Sequence, residues 1–262
     1  MSGRVCLITG STGIAAATAE LLAADGWRLL VCSRTEANCR GLAERLGCAY
    51  FAGDLSEDAT AGRAVAAAVE RYGRLDAAFN VAGISGRRYG DGPTHQATPE
   101  GWDATLDANA RSMFLCCRAE VGQMITQPPA DADGLRGAIL NMASVLAFSP
   151  SPSLFATHAY AASKGAILAM TRAMAAHYAP EKIRVNAVAP GLTRTPMSRR
   201  AQEDARVLGF AAAKQPLVGG MLDPADVATT AAFLLGAAAR AVTGAVLVVD
   251  GGWSVTEAVP EP

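Results

Sequence analysis

The sequence predicts a single α/β domain over residues 1–262, built on a doubly wound parallel sheet of about seven strands with helices on both faces. Short apolar runs alternate with longer alanine-rich stretches of helical period along the whole chain. The runs are mostly continuous, without polar alternation, which is typical of strands covered on both faces. No linker of low complexity divides the chain. Together these features favour right-handed βαβ units in one domain.

Strands are predicted where β-branched residues or leucines cluster in short runs. The predicted strands are Val5–Ile8, Arg28–Cys32, Ala49–Ala52, Asp76–Phe79, Ala138–Met142, Ile183–Ala189 and Ala245–Val249. Helices are predicted where apolar residues recur on one face. They are Ile14–Asp25, Glu36–Leu46, Asp58–Tyr72, Pro99–Thr126, Thr157–Tyr178 and Pro224–Leu235.

Two segments interrupt this alternation. A polar, turn-rich loop over residues 127–136 precedes the fifth strand, and a long insertion over residues 190–223 follows the sixth. Loops of this length inside a compact domain are usually functional. We expect residues 192–221 to form a substrate-binding lid.

The composition narrows the possible partners and location. Basic and acidic residues number 23 and 24, giving a formal net charge of −1, which disfavours nucleic acid and anionic lipid as partners. No apolar run approaches the ~20 residues that cross a membrane. The six cysteines form no C-x-x-C pair. We therefore expect a cytoplasmic protein with no membrane span, and no metal site.

A glycine turn follows the first strand. It reads Gly10-Ser11-Thr12-Gly13-Ile14 and leads directly into a predicted helix. Glycines at such a turn let the backbone approach a pyrophosphate, which the N–H groups at the helix start stabilise. The simpler alternative is a tight turn with no ligand. These five residues are candidate cofactor ligands.

The end of the second predicted strand bears on the choice of cofactor. An acidic residue there would bind the ribose 2′-hydroxyl of NAD, but this chain has Ser33-Arg34. A hydroxyl followed by a guanidinium suits a 2′-phosphate. The pair favours NADP(H) over NAD(H), with a solvated surface arginine as the alternative.

Tyr160 and Lys164 form a Tyr-x-x-x-Lys pair on a predicted helix. Residues four apart share a helix face, so the ammonium group can favour the ionised phenol and lower its pKa. Lysine occurs at only three positions in the chain, so a chance pair is rare. Ser144 ends the fifth predicted strand, where ligands bind in open α/β sheets, although a strand-end serine is often only a turn or cap residue.

These motifs stand in an order that resembles the short-chain dehydrogenase/reductase family, in its ordinary single-domain branch. The likeness covers essentially the whole chain, and it is carried by the glycine turn, by Ser144, Tyr160 and Lys164, and by four further stretches. Those stretches are Asp54-Leu55, Asn80-Val81-Ala82-Gly83 with Asn109, Pro190-Gly191 with Thr193 and Thr195, and Asp250-Gly251-Gly252.

The resemblance implies a Rossmann-type dinucleotide fold and a role for each matching position. Tyr160 would be the general acid/base, Lys164 would bind the nicotinamide ribose, Ser144 would orient the reacting oxygen, and Asn109 would hold a proton-relay water. The remaining matches would contact the cofactor: Asp54, Leu55, Asn80, Ala82, Gly83, Pro190, Gly191, Thr193 and Thr195. A homo-oligomer, tetramer or dimer, is also implied.

The chain departs from the family pattern in three places. Only Ser11 and Thr12 separate the first two glycines, one residue fewer than usual, and Ala15 replaces a third glycine. The segment between Ser144 and Tyr160 is longer, so that Phe148, Leu154, Phe155 and His158 could enter the substrate pocket. The region around residues 175–181 lacks the basic residues with which carrier-protein reductases of this family dock their partner.

We therefore expect an oxidoreductase that transfers a hydride between NADP(H) and a secondary alcohol or ketone. Three alternatives remain open: a 3-oxoacyl-thioester reductase, an isomerase or dehydratase on the same fold, and a non-catalytic NAD(P)-sensing module.

Overall fold

A computed structural model describes residues 3–130, 132 and 134–257 of the chain. Within these residues, seven strands form one parallel sheet in the order β3-β2-β1-β4-β5-β6-β7. The strands are β1 Val5–Thr9, β2 Arg28–Ser33, β3 Ala49–Ala52, β4 Ala77–Asn80, β5 Gly137–Met142, β6 Ile183–Pro190 and β7 Val246–Val249. The predicted fold class and the seven predicted strands are confirmed, with ends that differ by at most one residue.

Helices connect the strands and cover both faces of the sheet. The α-helices are α1 Ile14–Ala24, α2 Glu36–Leu46, α3 Asp58–Tyr72, α4 Pro99–Leu106, α5 Ser112–Thr126, α6 His158–Tyr178, α7 Arg199–Gln202, α8 Ala205–Lys214 and α9 Pro224–Leu235. Short 3-10 turns lie at Arg87–Tyr89, Val145–Ala147, Pro196–Ser198 and Ala237–Ala239.

The central strands are buried on both faces, as their continuous apolar runs predicted. β1, β4, β5 and β6 consist of buried residues throughout. The apolar side chains on one face pack against α3, α5 and α6, and those on the other face pack against α1 and α9. The strand order reverses between β1 and β4, and this reversal opens a crevice at the carboxyl ends of the strands.

Two predictions about chain segments need correction. The stretch Pro99–Thr126, predicted as one helix, is interrupted by a π-helical segment, Asp107–Arg111, between α4 and α5. The insertion at 192–221, predicted as a loop, contains a 3-10 turn and the helices α7 and α8. Pro196, together with a capping box formed by Thr195 and Ser198, starts this 3-10 turn.

The predicted polar loop at 127–136 lies partly outside the described residues. Gln127 fixes its start, since the Gln127 side chain accepts a 3.0 Å hydrogen bond from Leu75 N and donates to Leu75 O. In the described part of the chain, no helix is both long and apolar enough to span a bilayer.

Candidate active site

A cavity of about 450 Å³ lies at the carboxyl ends of the central strands. It is the place at which the doubly wound topology is expected to bind a ligand. Twelve of the sequence-predicted site residues line it: Gly10, Thr12, Ile14, Ala82, Gly83, Ser144, Tyr160, Lys164, Pro190, Gly191, Thr193 and Thr195. The other eight predicted residues do not line it: Ser11, Gly13, Ser33, Arg34, Asp54, Leu55, Asn80 and Asn109.

Tyr160 lies in the first turn of α6 and faces Ser144, which follows β5. Burial raises the pKa of the Tyr160 phenol, and a hydrogen bond with the Ser144 side chain opposes that rise. The expectation that Lys164 lowers the pKa of Tyr160 is therefore not met in this structure. The reason is desolvation, which disfavours the charged phenolate more than the surroundings stabilise it.

Lys164 lies one turn after Tyr160 on the same face of α6, as predicted. Its Nζ is 5.6 Å from the centroid of the Tyr160 ring and donates a 2.8 Å hydrogen bond to Met142 O at the end of β5. Burial lowers the pKa of this ammonium group to about 8. Lys164 is thus a buried cation whose charge is easily lost.

Asn109 is fully buried in the π-helical segment between α4 and α5. Its Nδ2 donates to Ile84 O at 3.1 Å and to the Ser163 hydroxyl at 3.0 Å, and its Oδ1 accepts from Ile84 N at 2.8 Å. Ser163 in turn donates to Tyr160 O at 2.7 Å. The side chain therefore ties the turn after β4 to the helix that carries Tyr160. π-helical segments of this kind often occur at functional sites.

Gly83 shows how closely these groups approach one another. A Cβ at this position would lie 2.6 Å from Asn109 Oδ1 and 3.8 Å from Lys164 Nζ. The turn that contains Gly83 is held by Thr9, whose hydroxyl accepts hydrogen bonds from Val81 N and Ala82 N at 2.9 and 3.1 Å. Glycine is thus needed for space here, beside the catalytic candidates.

The glycine turn has the conformation that its sequence predicted. Gly10 and Gly13 have φ angles of +104° and +55°, which L side chains rarely adopt. Helix α1 begins at Ile14, and no side chain caps its first turn. The N–H groups at the start of α1 therefore remain available for an anion. A Cβ on Gly13 would lie 2.9 Å from Thr195, so the insertion after β6 contacts this turn directly.

Ser33 and Arg34 lie at the end of β2, beside the glycine turn. The Ser33 hydroxyl is 2.8 Å from that of Ser11 and 3.0 Å from Cys39 Sγ. The Arg34 guanidinium is largely exposed and forms a 3.6 Å ion pair with Asp54. Hydrogen bonds from Ser56, together with the charge of Arg34, hold the pKa of Asp54 below its usual value.

Leu55 and Asn80 do not line the cavity, although both were predicted to contact the cofactor. Leu55 is buried in the core against the sheet. The Asn80 side chain turns inward, where its Nδ2 donates to Glu120 Oε2 at 3.0 Å and to Asn141 Oδ1 at 3.1 Å. A buried polar network thus holds Asn80 away from the cavity.

His158 does not enter the cavity. Of the four candidates in the long segment before Tyr160, Phe155 alone lines it. The His158 ring contacts Thr94 at 2.7 Å on the exposed side of α6. Phe155 packs edge-on against Trp253, with ring centroids 5.8 Å apart. Phe155 and Trp253 therefore form an aromatic wall of the cavity.

The site also contains residues outside the predicted set. Asp91, in the Asp-Gly-Pro stretch after β4, accepts hydrogen bonds from Ala159 N and Tyr160 N at 3.0 and 2.9 Å. Arg87 and Arg200 line the cavity together with Trp253. The turn-forming Asp-Gly-Pro sequence was the available signal for Asp91, whereas nothing local indicated that Arg200 would face the cavity.

The site fits a nicotinamide dinucleotide on three structural grounds. The uncapped start of α1 and the positive φ angles of Gly10 and Gly13 form a cradle for a pyrophosphate. Gly83 leaves room beside Lys164 that any side chain would fill. Lys164 supplies a buried ammonium group within the cavity.

Known proteins match the chain over nearly its full length. The family model described as enoyl-(acyl carrier protein) reductase matches residues 8–254. An A-factor type gamma-butyrolactone 1'-reductase (1S-forming) from Streptomyces virginiae is 38% identical, with 97% of each chain covered. A D-threitol dehydrogenase from Mycolicibacterium smegmatis is 32% identical, covering 97% of this chain and 94% of its own.

The structural comparison agrees with the sequence comparison. A 3-ketoacyl-(acyl-carrier-protein) reductase from Brucella melitensis, solved in complex with NADH, superposes with a TM-score of 0.86 at 31% identity. The alignment covers 97% of this chain and 99% of that chain. The chain therefore belongs to the short-chain dehydrogenase/reductase family, and it is an NAD(P)-dependent oxidoreductase acting on CH–OH or C=O groups.

Proposed function

We propose that this enzyme interconverts a secondary alcohol and a ketone, prefers NADP(H), and uses Tyr160 as its general acid/base. The observation that carries the proposal is the meeting of Tyr160, Ser144 and Lys164 at one cavity that also contains the glycine turn. Each group has a chemical task in the transfer of a hydride and a proton to a carbonyl. The bound nicotinamide supplies the hydride.

Tyr160 donates the proton in the reducing direction. Burial raises the pKa of the phenol, so the group stays protonated at neutral pH and serves as an acid. The Ser144 hydroxyl, which already hydrogen-bonds to Tyr160, holds the same carbonyl oxygen from a second side. A carbonyl oxygen placed between two hydroxyl donors is both oriented and polarised.

Lys164 and Asn109 complete the site behind the phenol. The Lys164 ammonium donates one of its N–H groups to Met142 O, and its other N–H groups would bind the nicotinamide ribose. Asn109 Oδ1 accepts one hydrogen bond and has capacity for another, which would hold a water that resupplies the proton.

The preference for NADP(H) rests on Ser33 and Arg34 at the end of β2. Arg34 is exposed and lies beside the glycine turn, so a 2′-phosphate can replace the Asp54 carboxylate as its partner. An arginine binds a phosphate in a bidentate manner, and no acidic side chain occupies position 33 or 34 to select the 2′-hydroxyl of NAD(H).

The direct test is Tyr160→Phe, assayed with a panel of ketones and both cofactors. We expect turnover to fall by about a hundredfold or more, while the dissociation constant for NADPH stays within about twofold. Tyr178→Phe on the same helix, outside the cavity, is the matched control. Near-normal turnover in Tyr160→Phe would contradict the mechanism.

A 3-oxoacyl thioester is the second candidate substrate class, because the Brucella neighbour carries that activity in its name. The panel therefore includes 3-oxoacyl thioesters beside simple ketones. A preference of more than about tenfold in kcat/KM for the thioesters would make this the better assignment. Tight NADPH binding without oxidation across the panel would favour a sensing module, and substrate consumption without net NADPH oxidation would favour an isomerase or dehydratase.

The enzyme is cytoplasmic and homo-oligomeric in this proposal. Its six cysteines are free thiols, five of them buried, which suits a reducing compartment. Helices α4 and α5 expose Trp102 and Phe114, at 45% and 46% of their surface, on a face suited to a second subunit. Light scattering after size-exclusion chromatography measures the oligomeric state directly.

A further inference from the structure

The cavity is positively charged along its walls although the chain is nearly neutral. Its charged lining consists of Arg87, Arg88, Arg200 and Lys164, and no aspartate or glutamate of the described residues lines it. The whole chain has a formal net charge of −1. The excess positive charge is therefore a local property of the cavity, which favours an anionic occupant.

Two of these cations, Lys164 and Arg88, already interact with other parts of the site. Lys164 is bonded to the end of β5 beside Tyr160. Arg88 lies over the Tyr89 ring at 4.7 Å and donates to its hydroxyl, and Arg34 hydrogen-bonds to the same hydroxyl. Arg88 is thus directed towards the cofactor candidate Arg34. Arg87 and Arg200 are the two remaining cations of the lining.

Arg87 and Arg200 both line the cavity and interact electrostatically. Burial and the charge of Arg200 both lower the pKa of Arg87, so the two guanidinium groups are close enough to repel each other. Neither forms an ion pair within the described parts of the chain. Two cations that interact in this way raise the free energy of the site, and an anion between them would lower it.

One acidic group, Asp91, interacts electrostatically with Arg87. Asp91 lies near enough to raise the pKa of Arg87, but less strongly than burial and Arg200 lower it. The Asp91 carboxylate accepts hydrogen bonds from the backbone of Ala159 and Tyr160. Asp91 therefore caps α6, and its charge offsets only part of the effect of burial and of Arg200 on Arg87.

The surroundings place this pair on the substrate side of the cavity. Arg87 Nη2 donates a 2.7 Å hydrogen bond to Leu154 O, next to the aromatic wall residue Phe155. Arg200 lies on α7, in the insertion at 192–221 that was predicted to cover the substrate. The glycine turn that suits a pyrophosphate instead contacts Thr195, at the start of that insertion.

We infer that Arg87 and Arg200 form a subsite for a carboxylate or similar oxyanion on the alcohol or ketone substrate, while Phe155 and Trp253 contact its apolar part. The inference rests on the proposed function and adds a substrate class to it. A single hydrogen bond to Leu154 leaves most of the Arg87 N–H groups free for such an anion.

The test compares oxo-carboxylates with their methyl esters. Levulinate and its longer-chain homologues, each beside its ester, are assayed with saturating NADPH. We expect the wild-type kcat/KM to favour the acid by about tenfold or more at one chain length. Arg87→Ala or Arg200→Ala should lower kcat/KM for that acid by about tenfold to a hundredfold, through a higher KM. The same variants should change kcat/KM for the ester by no more than about twofold.

Arg199→Ala is the matched control, because Arg199 adjoins Arg200 on α7 but does not line the cavity. It should leave the ratio of acid to ester unchanged. A wild-type enzyme without preference for the acid at any chain length would overturn the inference. A parallel loss of NADPH affinity in Arg87→Ala and Arg200→Ala would also overturn it, since the arginines would then serve the cofactor.

A calorimetric titration separates this inference from the proposed function. The same acids and esters are titrated into the NADPH complex, where binding does not depend on turnover. If an acid binds more tightly than its ester, and Arg200→Ala removes that difference, the result supports the subsite even if no compound is reduced. Equal binding of acid and ester contradicts the subsite even if ketones are reduced normally.

Discussion

The carboxylate of Asp91 accepts a 2.9 Å hydrogen bond from the backbone N–H of Tyr160. It also accepts from Ala159 N, so one buried side chain after β4 caps the helix that carries the candidate acid/base. A carboxylate at a helix start satisfies otherwise unpaired N–H groups and interacts favourably with the helix dipole. Asp91 is therefore a positioning residue for Tyr160.

Replacing Asp91 tests this coupling. Asp91→Ala leaves two buried N–H groups without a partner, so we expect the free energy of unfolding to fall by about 1–3 kcal/mol. We also expect kcat to fall by about tenfold because Tyr160 loses its fixed position, while NADPH affinity is retained. Asp91→Asn, which keeps one acceptor oxygen, should recover part of the free energy of unfolding and part of kcat. Thermal unfolding and steady-state kinetics measure the two effects.

The control for this pair of measurements is Asp223→Ala. Asp223 caps α9 in the same manner, by accepting from Ala225 N at 2.9 Å, but it does not line the cavity. It should destabilise the fold by about 1 kcal/mol without changing kcat. Equal effects of the two substitutions on kcat would show that Asp91 has no specific role in placing Tyr160.

The pH dependence of reduction should follow Lys164. Burial lowers its pKa to about 8, so the ammonium is charged below that pH and loses its proton above it. Tyr160 has a raised pKa and stays protonated over the same range. We therefore expect kcat/KM for ketone reduction to be level near neutral pH and to fall as the pH rises through about 8.

Lys164→Arg is the diagnostic variant for this profile. A guanidinium keeps its charge throughout the range. We therefore expect kcat/KM of the variant to be lower than that of the wild type but not to decrease near pH 8. Lys182→Arg, at an exposed position outside the cavity, should keep the wild-type profile. A wild-type profile that stays level to about pH 10 would contradict the assignment to Lys164.

Arg34 should determine the choice between the two cofactors. Arg34→Asp replaces the guanidinium with a carboxylate that accepts from a ribose 2′-hydroxyl and repels a 2′-phosphate. We expect the ratio of kcat/KM for NADPH to that for NADH to fall by about tenfold or more. Arg45→Asp, which also breaks a surface ion pair, with Glu20, is the control. An unchanged ratio in Arg34→Asp would refute the proposed preference.

The sequence predicted those parts of the fold and site that depend on local pattern. Continuous apolar runs marked the strands because both faces of the sheet are covered. Gly10 and Gly13 were found because the turn needs their positive φ angles. Tyr160 and Lys164 were found because a spacing of four places them on one face of α6.

The parts that could not be predicted depend on contacts between distant segments. The π-helical segment at Asp107–Arg111 holds Asn109 against Ile84, in the turn after β4, and against Ser163 on α6. Arg87 and Arg200 are 113 positions apart and meet only because the insertion folds over the cavity. The upward shift in the pKa of Tyr160 results from burial, which no local spacing shows.

Glu120 provides a prediction that concerns stability alone. It is fully buried on α5, and burial raises the pKa of its carboxyl to about 8. Between the unfolded pKa of about 4.3 and this value, the folded state binds a proton that the unfolded state does not. Stability should therefore fall as the pH rises through this window, because folding must keep Glu120 neutral or bury its charge.

Glu120→Gln should remove this dependence. The amide has nearly the same shape but no ionised form, so we expect the variant to match the wild type near pH 4 and to unfold at a higher temperature at pH 8. Among described residues, Glu120 Oε1 and Asn80 Oδ1 lack hydrogen-bond partners, and an amide also brings N–H groups into this acceptor-rich network. Glu44→Gln, at an exposed site on α2, is the control. Parallel unfolding temperatures for wild type and Glu120→Gln from pH 4 to 8 would show that Glu120 does not titrate in this window.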